Sequence, residues 1–402
     1  MNAVGIDVSK GKSMVAAIRP FGEVVLSPFE VSHTGSELGE LARTLKSLPG
    51  ETRVVMEYTG YYHAPVAQIL CEAGIYVSVV NPLLVHDYGN NSLRRVKTDK
   101  KDAFKLASYA LEHWLSLPQY YLVGDTRLML KTAHRQYEQM VNMRTIQKNN
   151  LISLLDSVFP NANRLFSSPP RDDGSEKWVD FVSRFWHCEC VSDLSENKFT
   201  ECYETWCHGH GYNFSKEKAS SIYAYASDAI GVMPKCDATK FIVKQTVSQL
   251  QASCFAIAAM KKKMLELAST LPEYPIVMAM YGVGEVLGPQ LMAEIGDVRR
   301  FYSKEALVAY AGLDSPPDQS GQKDGKGKAI TKRGSPSLRR TIFLVMSIIL
   351  QNAPEGEDVY RYMLKKRSEG KPYKVYMIAS ANKFLRRYYA IVKRYLNDLE
   401  GI

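Results

Sequence analysis

With 402 residues the chain is long enough for two or three domains rather than one. Its hydrophobic share of 46% and charged share of 23% are those of an ordinary soluble globular protein. No apolar run reaches the ~18 residues of a membrane helix, and Met1 to Lys10 has no basic-then-apolar leader, so the sequence reads as cytoplasmic, with no membrane partner. A net charge of +9 favours polyanionic partners such as nucleic acid.

Three strands open the chain. Ala3 to Val8, Ser13 to Ile18 and Glu23 to Val31 are separated by turn signals at Gly11 and Pro20-Phe-Gly22. Connections this short make antiparallel neighbours. Ser36 to Leu48 follows with helical spacing of Leu38, Leu41, Ala42 and Leu45, and Ser36 reads as its N-cap. Val54-Val-Met56 is a fourth strand, Ala64 to Ala73 a helix closed by Gly74, Ile75 to Val80 a fifth strand, and Asp102 to Leu111 a helix. Three antiparallel strands followed by alternating helix and strand is the RNase H-like order; a Rossmann winding would place a helix after the first strand.

Thr126 to Ser157 and Ala238 to Leu271 read as two long helices without internal Gly or Pro, the pattern of an antiparallel coiled-coil arm. Residues 160–235 between them, rich in Ser, Asp, aromatic residues and Cys, read as an insertion at the arm's tip. Beyond Pro275, Ile276 to Tyr281 and Leu287 to Glu294 read as helices joined through Gly282-Val-Gly284. A polar Gly/Lys segment covers 314–335, and helices follow at Ser337 to Gln351 and Lys374 to Leu399. The division expected is 1–115 as an α/β catalytic domain, 116–272 as the arm with its insertion, and 273–402 as a mainly helical C-terminal domain.

Four carboxylates stand out. Asp7 sits between Ile6 and Val8 on the first strand, where a structural Asp is uncommon. Glu57 ends the fourth strand. Asp99 and Asp102 begin a helix and, three residues apart, share a face; taken alone, they also suit the positive end of the helix dipole. In the RNase H-like order the first and fourth strands are adjacent, so all four acids meet at one place. Clustered carboxylates repel unless a cation neutralises them, and their hard oxygens suit Mg²⁺ or Mn²⁺ in phosphoryl transfer. Arg94, Arg95, Lys97, Lys100, Lys101 and Lys105 bracket Asp99 and Asp102 as candidate phosphate contacts.

These blocks resemble a known family. Gly5-Ile-Asp-Val-Ser-Lys10, Met56-Glu-Tyr-Thr-Gly60, Val80-Asn-Pro82 and Lys97-Thr-Asp-Lys-Lys-Asp-Ala103 are similar to the signatures of the DEDD transposases, the IS-one-ten group of insertion sequences with the Piv-type DNA invertases. Gly282-Val-Gly284, Ala293 to Asp297, Arg300-Phe301, Ala309 to Leu313, Ser320-Gly321, Ile330 to Gly334 and Leu338-Arg339 resemble, in order, the transposase domain of that family. The resemblance covers about residues 1–150 and 270–400 and leaves out 160–235. It implies a RuvC-like fold with Asp7, Glu57, Asp99 and Asp102 as the metal-binding tetrad, and Ser320 as a nucleophile on the C-terminal domain. It further implies donor and target DNA as substrates, a structured non-coding bridge RNA as guide, and dimers that join into a tetramer.

The residues around Ser320 fit that role. Asp314 to Lys328 is built for turns, Gly321, Gly325 and Gly327 allow close backbone approach to phosphate, and Lys323, Lys326, Lys328, Lys332, Arg333 and Arg339 supply countercharge. Ser315 and Ser335 precede prolines and suit turns; Ser337 suits a helix cap. Gly282-Val-Gly284 resembles a helix-hairpin-helix element, with an ordinary Gly-rich turn as the alternative. On the last helix Lys383, Arg386, Arg387, Lys393 and Arg394 track a candidate nucleic-acid face, with Phe384, Tyr388, Tyr389 and Tyr395 as core.

Cys71 and Cys254 read as buried thiols. In the insertion, Cys188, Cys190, Cys202, Cys207, His208 and His210 offer zinc ligands, but Cys-x-Cys and Cys-x4-Cys are not the common knuckle spacings, so an aromatic packing module with free thiols is the expected state. Competing functions are a RuvC-like junction endonuclease using water, an actin-like ATPase or sugar kinase, which would need later Gly-rich phosphate loops that this sequence does not show at the expected places, and a non-catalytic nucleic-acid-binding protein.

Overall fold

The computed structural model describes residues 1–87, 98–315, 319–320, 323–324 and 329–401, with side chains described outside 83, 86–97, 316–328 and 402. The chain divides into two compact units, Met1–Leu122 and Val123–Ile402.

The first unit is built on a five-stranded mixed sheet. Strands β1 (Asn2–Val8), β2 (Lys12–Ile18) and β3 (Val24–Ser32) form an antiparallel meander; after helix α1 (Gly35–Ser47), β4 (Thr52–Glu57) pairs parallel to β1 on its other side. Helix α2 (Ala64–Glu72) leads to β5 (Tyr76–Val80), which pairs parallel to β4, giving the order β3-β2-β1-β4-β5. Helices α3 (Pro82–Asp87) and α4 (Asp99–Glu112) follow. Alternation with period two separates the faces. Val4, Ile6, Val8, Val54 and Met56 pack with Leu38, Leu41, Leu45, Val66 and Leu70 of α1 and α2. Ala3 and Val55, on the opposite face, pack with Leu106, Ala107 and Ala110 of α4.

Two boundary details depart from the sequence reading. Thr34, not Ser36, caps α1: its extended backbone lets its Oγ1 accept from the Glu37 amide at 3.3 Å, while Ser36 already lies inside the first turn. Cys71 is only half-buried, on the solvent-leaning side of α2.

In the second unit, α5 (Asp125–Leu155) and α10 (Asp237–Ser269) pack antiparallel: Leu130 shares a core with Met264 and Ala268, and Leu151 and Leu155 share another with Val243 and Val247. Between them, α6 (Lys177–Arg184), α7 (Glu189–Ser192), α8 (Glu196–Gly209) and α9 (Lys216–Asp228) fold onto the far end of the pair. Their core is aromatic: Phe181 contacts the rings of Phe159, Phe185, Tyr203 and Trp206. At the near end, α11 (Tyr274–Met278), α12 (Leu287–Ile295), α13 (Lys304–Tyr310), α14 (Pro336–Asn352), α15 (Asp358–Ser368) and α16 (Tyr373–Glu400) close around a second core. A two-residue ladder, β6 (Gln319–Ser320) with β7 (Lys323–Asp324), lies between α13 and α14 in the chain. No described helix is long and apolar enough to cross a membrane.

Candidate active site

The position of α4 fixes the site. A Cβ on Gly5 would stand 2.0 Å from the Ala103 carbonyl oxygen and 2.4 Å from the Ala107 amide nitrogen, so the helix backbone lies directly on β1 and only glycine fits there. Asp7, two residues on, faces the same side of the sheet. The parallel register pairs Ile6 with Met56, so one step further Asp7 stands beside Glu57. At the other end of α4 the guanidinium of Arg53 hydrogen-bonds the Trp114 carbonyl and covers the Trp114 ring at 4.7 Å. The helix therefore runs from the Asp7/Glu57 end of the sheet toward the Ala3/Arg53 end, and its first turn, with Asp99 and Asp102, lies at the acidic end.

Four carboxylates thus share one end of one face. Asp7, Glu57 and Asp102 are half-buried and Asp99 is exposed. Thr98 caps the helix through its Oγ1 and the Lys101 amide, 3.4 Å apart. Asp99 lies near enough to Lys12 to add to the rise that Glu30 produces in its ammonium pKa, chiefly through a 2.7 Å hydrogen bond. Among the described residues no group of three or more His, Cys, Asp and Glu side chains converges closely enough to hold a metal ion. The donor chemistry, carboxylate oxygens alone, suits a hard divalent cation. Lys100 and Lys101 are exposed beside the acids and Lys105 is half-buried; Arg94, Arg95 and Lys97 lie outside the described residues.

Ser320 lies on β6, opposite Lys323, with Gln319 opposite Asp324; Lys326 and Lys328 lie outside the described residues. The stem of this segment is well defined. Asp314 accepts the Thr331 amide on its carbonyl at 2.9 Å and the Thr331 hydroxyl on its carboxylate at 2.5 Å; the Lys332 amide donates to Gly312 and the Ser335 amide to Tyr310. Lys332, at φ +55°, and Arg333 are exposed. Arg339, a candidate phosphate contact by sequence, donates through Nη1 to the Ala311 carbonyl at 2.9 Å and braces this stem.

Ser335 and Ser337 have structural roles. Ser335, not Ser337, caps α14: its Oγ accepts from the Leu338 amide at 3.1 Å and donates to Glu294 Oε2 at 2.7 Å. Ser337 is buried, 2.8 Å from His134 Nε2. A serine, a histidine and two nearby glutamates resemble a hydrolytic triad, but Glu138 and Glu294 approach the same Nε2, at 3.9 and 3.8 Å, and His134 Nδ1 has no hydrogen-bond partner. A triad acid must hold the other ring nitrogen, so this cluster is packing. Sequence reasoning missed it, although Glu294 lies within one block it had singled out, Ala293 to Asp297, and Ser335 directly follows another, Ile330 to Gly334.

Gly282, at φ +78°, would carry a Cβ 2.9 Å from Ile349 Cγ1, so its role is to let this turn pack on α14; a Cβ on Gly284 meets nothing. On α16, Phe384, Tyr388 and Tyr389 are core, and Arg387 binds Glu357 and Asp358 at 2.9 and 3.0 Å. In the insertion, the seven-cysteine chain's Cys188 and Cys207 are buried thiols. His187 accepts the Glu189 amide on Nδ1 and meets the Met233 carbonyl through Nε2, so both its ring nitrogens are used.

Known proteins carry the same organisation. Residues 4–160 match a DEDD family profile described as a transposase, and residues 274–361 match the profile of the IS116/IS110/IS902 transposase family. The pilin gene-inverting protein of Moraxella lacunata is 23% identical over 343 residues, 85% of this chain and 80% of that one. The IS116 insertion-element protein of Streptomyces clavuligerus is 24% identical over 371 residues, 91% of this chain and 88% of that one. The IS117 mini-circle protein of Streptomyces coelicolor is 30% identical over 307 residues, 73% of this chain and 70% of that one. With both profiles matched in order along the sequence, the chain belongs to the IS116/IS110/IS902 family of transposases and is an enzyme of DNA transposition and recombination.

Proposed function

We propose that this protein cleaves and rejoins DNA strands through a phosphoserine intermediate, with an RNase H-like, RuvC-like domain at residues 1–115 and a serine-bearing domain at 273–402, joined by the arm at 116–272. The observation that carries the reading is the register placing Asp7 beside Glu57 under the first turn of α4, where Asp99 and Asp102 stand. Those four residues, which do not converge on one point in this structure, would draw together on a divalent cation, Mg²⁺ or Mn²⁺, which when bound neutralises charge on the phosphate and lowers the pKa of a coordinated hydroxyl.

The Ser320 hydroxyl is a weak nucleophile until deprotonated. It attacks a scissile phosphorus as it gives up its proton, and the bridging oxygen leaves, taking up a proton, as a strand-terminal hydroxyl. A hydroxyl of the recipient strand then attacks the phosphoserine, re-forming a phosphodiester and returning the serine. One diester bond is exchanged for another, so no nucleotide hydrolysis is needed. Lys100, Lys101 and Lys105 beside the acids, and Lys323, Lys332 and Arg333 around the serine, supply phosphate contacts; Arg94, Arg95, Lys97, Lys326 and Lys328 continue the two basic runs in sequence. The Moraxella relatives are named for inverting a pilin gene, and the reaction proposed here serves inversion and transposition alike. The resemblance to DEDD transposases extends the reading to a bridge RNA that pairs with donor and target DNA, and to dimers that assemble into tetramers.

The test uses DNA spanning the boundary of the element that carries the reading frame, incubated with full-length protein and Mg²⁺ and resolved on a denaturing gel. Wild-type protein yields a covalent protein–DNA adduct, Ser320→Ala yields none while retaining DNA binding, and Asp7→Asn or Glu57→Gln yields neither adduct nor cleavage. Cleavage by Ser320→Ala at the wild-type rate would establish water as the nucleophile and remove the serine step.

A further inference from the structure

The loop that follows Glu57 carries an exposed aromatic group that the reaction above does not use. Tyr58 is 55% exposed, Tyr61 66% and Tyr62 46%. Other rings of the chain are as open, Phe21 and Tyr302 among them, but here three fall within five consecutive positions of one loop. The loop is well tied. The Tyr58 amide donates to the Val80 carbonyl at 2.9 Å, the Tyr62 amide to Thr59 at 3.3 Å, and Gly60 turns the chain at φ +63°. Tyr58 packs at 4.9 Å on the ring of His63, which is buried. The rings are therefore presented from a fixed turn, not left loose.

Position gives the patch its meaning. Tyr58 is the residue after Glu57, and Tyr61 lies at most ~14 Å along the chain from it. The carboxylates, the exposed Lys100 and Lys101, and the tyrosines all belong to the end of the sheet where β4 and the start of α4 meet. Ammonium groups contact phosphates, and flat rings stack on bases that have lost their neighbours. A fully paired duplex hides its base faces, so rings that stack on bases at this place stack on unpaired ones.

We propose that Tyr58, Tyr61 and Tyr62 form a stacking platform for unpaired DNA bases next to the phosphate being cut. Resting on the assignment of the acidic end as the cleavage site, the proposal adds a requirement: the strand enters unstacked. The platform holds splayed bases to one side while their phosphate lies at the carboxylates, and it favours opened over paired DNA without reading sequence.

The probe is a forked DNA duplex with 2-aminopurine in its single-stranded arm, bound by full-length protein in Ca²⁺. Wild-type protein quenches the fluorophore by stacking. Tyr61→Phe/Tyr62→Phe keeps the rings and the quenching. Tyr61→Ala/Tyr62→Ala abolishes quenching and weakens forked-DNA binding about tenfold, within the roughly five- to 150-fold that one stacked base contributes, with fully paired duplex bound as by wild type. Unchanged quenching in the double alanine variant would overturn the platform, as would tighter binding of an RNA arm than of the DNA arm. Asp7→Asn separates the two readings: it quenches normally if the platform stands, and if it still cleaves DNA in Mg²⁺ the acidic-site reading fails on its own.

Discussion

Replacing Glu294 by Ala removes the central group of a buried polar knot. Its side chain is fully buried, with Oε2 accepting from Ser335 Oγ at 2.7 Å and from Arg135 Nη2 at 2.8 Å. Breaking a buried ion pair by deleting one partner costs about 3–5 kcal/mol. The Arg135 side chain is 36% exposed and regains some hydration, which places the expected loss near the lower figure, about 3 kcal/mol. At a urea dependence of ~3 kcal/mol per M, the unfolding midpoint of Val123–Ile402, followed by far-UV circular dichroism, falls by about 1 M. Glu294→Gln keeps the volume and one acceptor oxygen, so the expected loss is about half. Glu294→Leu with Arg135→Met removes both charges and recovers much of it. An alanine variant whose midpoint moves by less than about 0.3 M, or a glutamine variant as damaged as the alanine one, would refute this account.

Burial holds the His134 imidazole below its ordinary pKa, against the pull of Glu138 and Glu294. The unfolded chain then takes up the proton first as pH falls below about 6.5, so stability declines on acidification from that point toward the lowered folded pKa; His134→Gln flattens the slope between pH 6.5 and 5 in denaturation curves. Gly5→Ala forces a methyl group into the α4 backbone and is expected to cost at least the ~1–3 kcal/mol of core overpacking. Its unit melts earlier and DNA cleavage is lost, whereas a normal melting temperature would show that α4 can shift away. Cys236 is exposed, and hydrogen bonding to Thr239 lowers its thiol pKa, whereas Cys188, Cys207 and Cys254 are buried. Thiol titration with an aromatic disulfide should give a fast phase that Cys236→Ser removes, and a fast phase that survives the substitution contradicts the assignment.

The sheet was legible because its signals are local. Tight turns at Gly11 and Pro20-Phe-Gly22 force an antiparallel meander, and the helix before Val54 forces a parallel return, so β1 meets β4 by chain logic alone. Asp7 and Glu57 follow, both standing at odd positions, on the face of the strands that α4 covers. Position within a turn was harder to read. Thr34 and Ser36 both offer a hydroxyl before the same helix, and only backbone dihedrals decide that Thr34 stands outside it. Ser335 and Ser337 pose the same ambiguity at α14, where Pro336, pre-set for the first helical position, was the available clue. Arg339 shows a different limit: its hydrogen bond to the Ala311 carbonyl joins residues 28 apart, which no local pattern reveals.

The two blocks that flank the Ser320 segment owe their composition to contact with each other. A Cβ on Gly334 would lie 2.2 Å from the Tyr310 carbonyl oxygen and 2.5 Å from the Gly312 amide nitrogen, and one on Gly312 would lie 2.9 Å from Lys332 carbonyl carbon. Ala309-Tyr-Ala-Gly-Leu313 and Ile330-Thr-Lys-Arg-Gly334 are therefore the two sides of one clamp, close enough that side chains are excluded at both glycines. The clamp is locked by the Asp314–Thr331 pair at its mouth and by Ser335 on Glu294 at its base, where Arg135 of α5 takes the same carboxylate. A segment of this length between secondary-structure elements serves binding or catalysis most often when its stem is rigid. Here the base of the stem is tied to α5 through one buried carboxylate, Glu294, which Ser335 and Arg135 share.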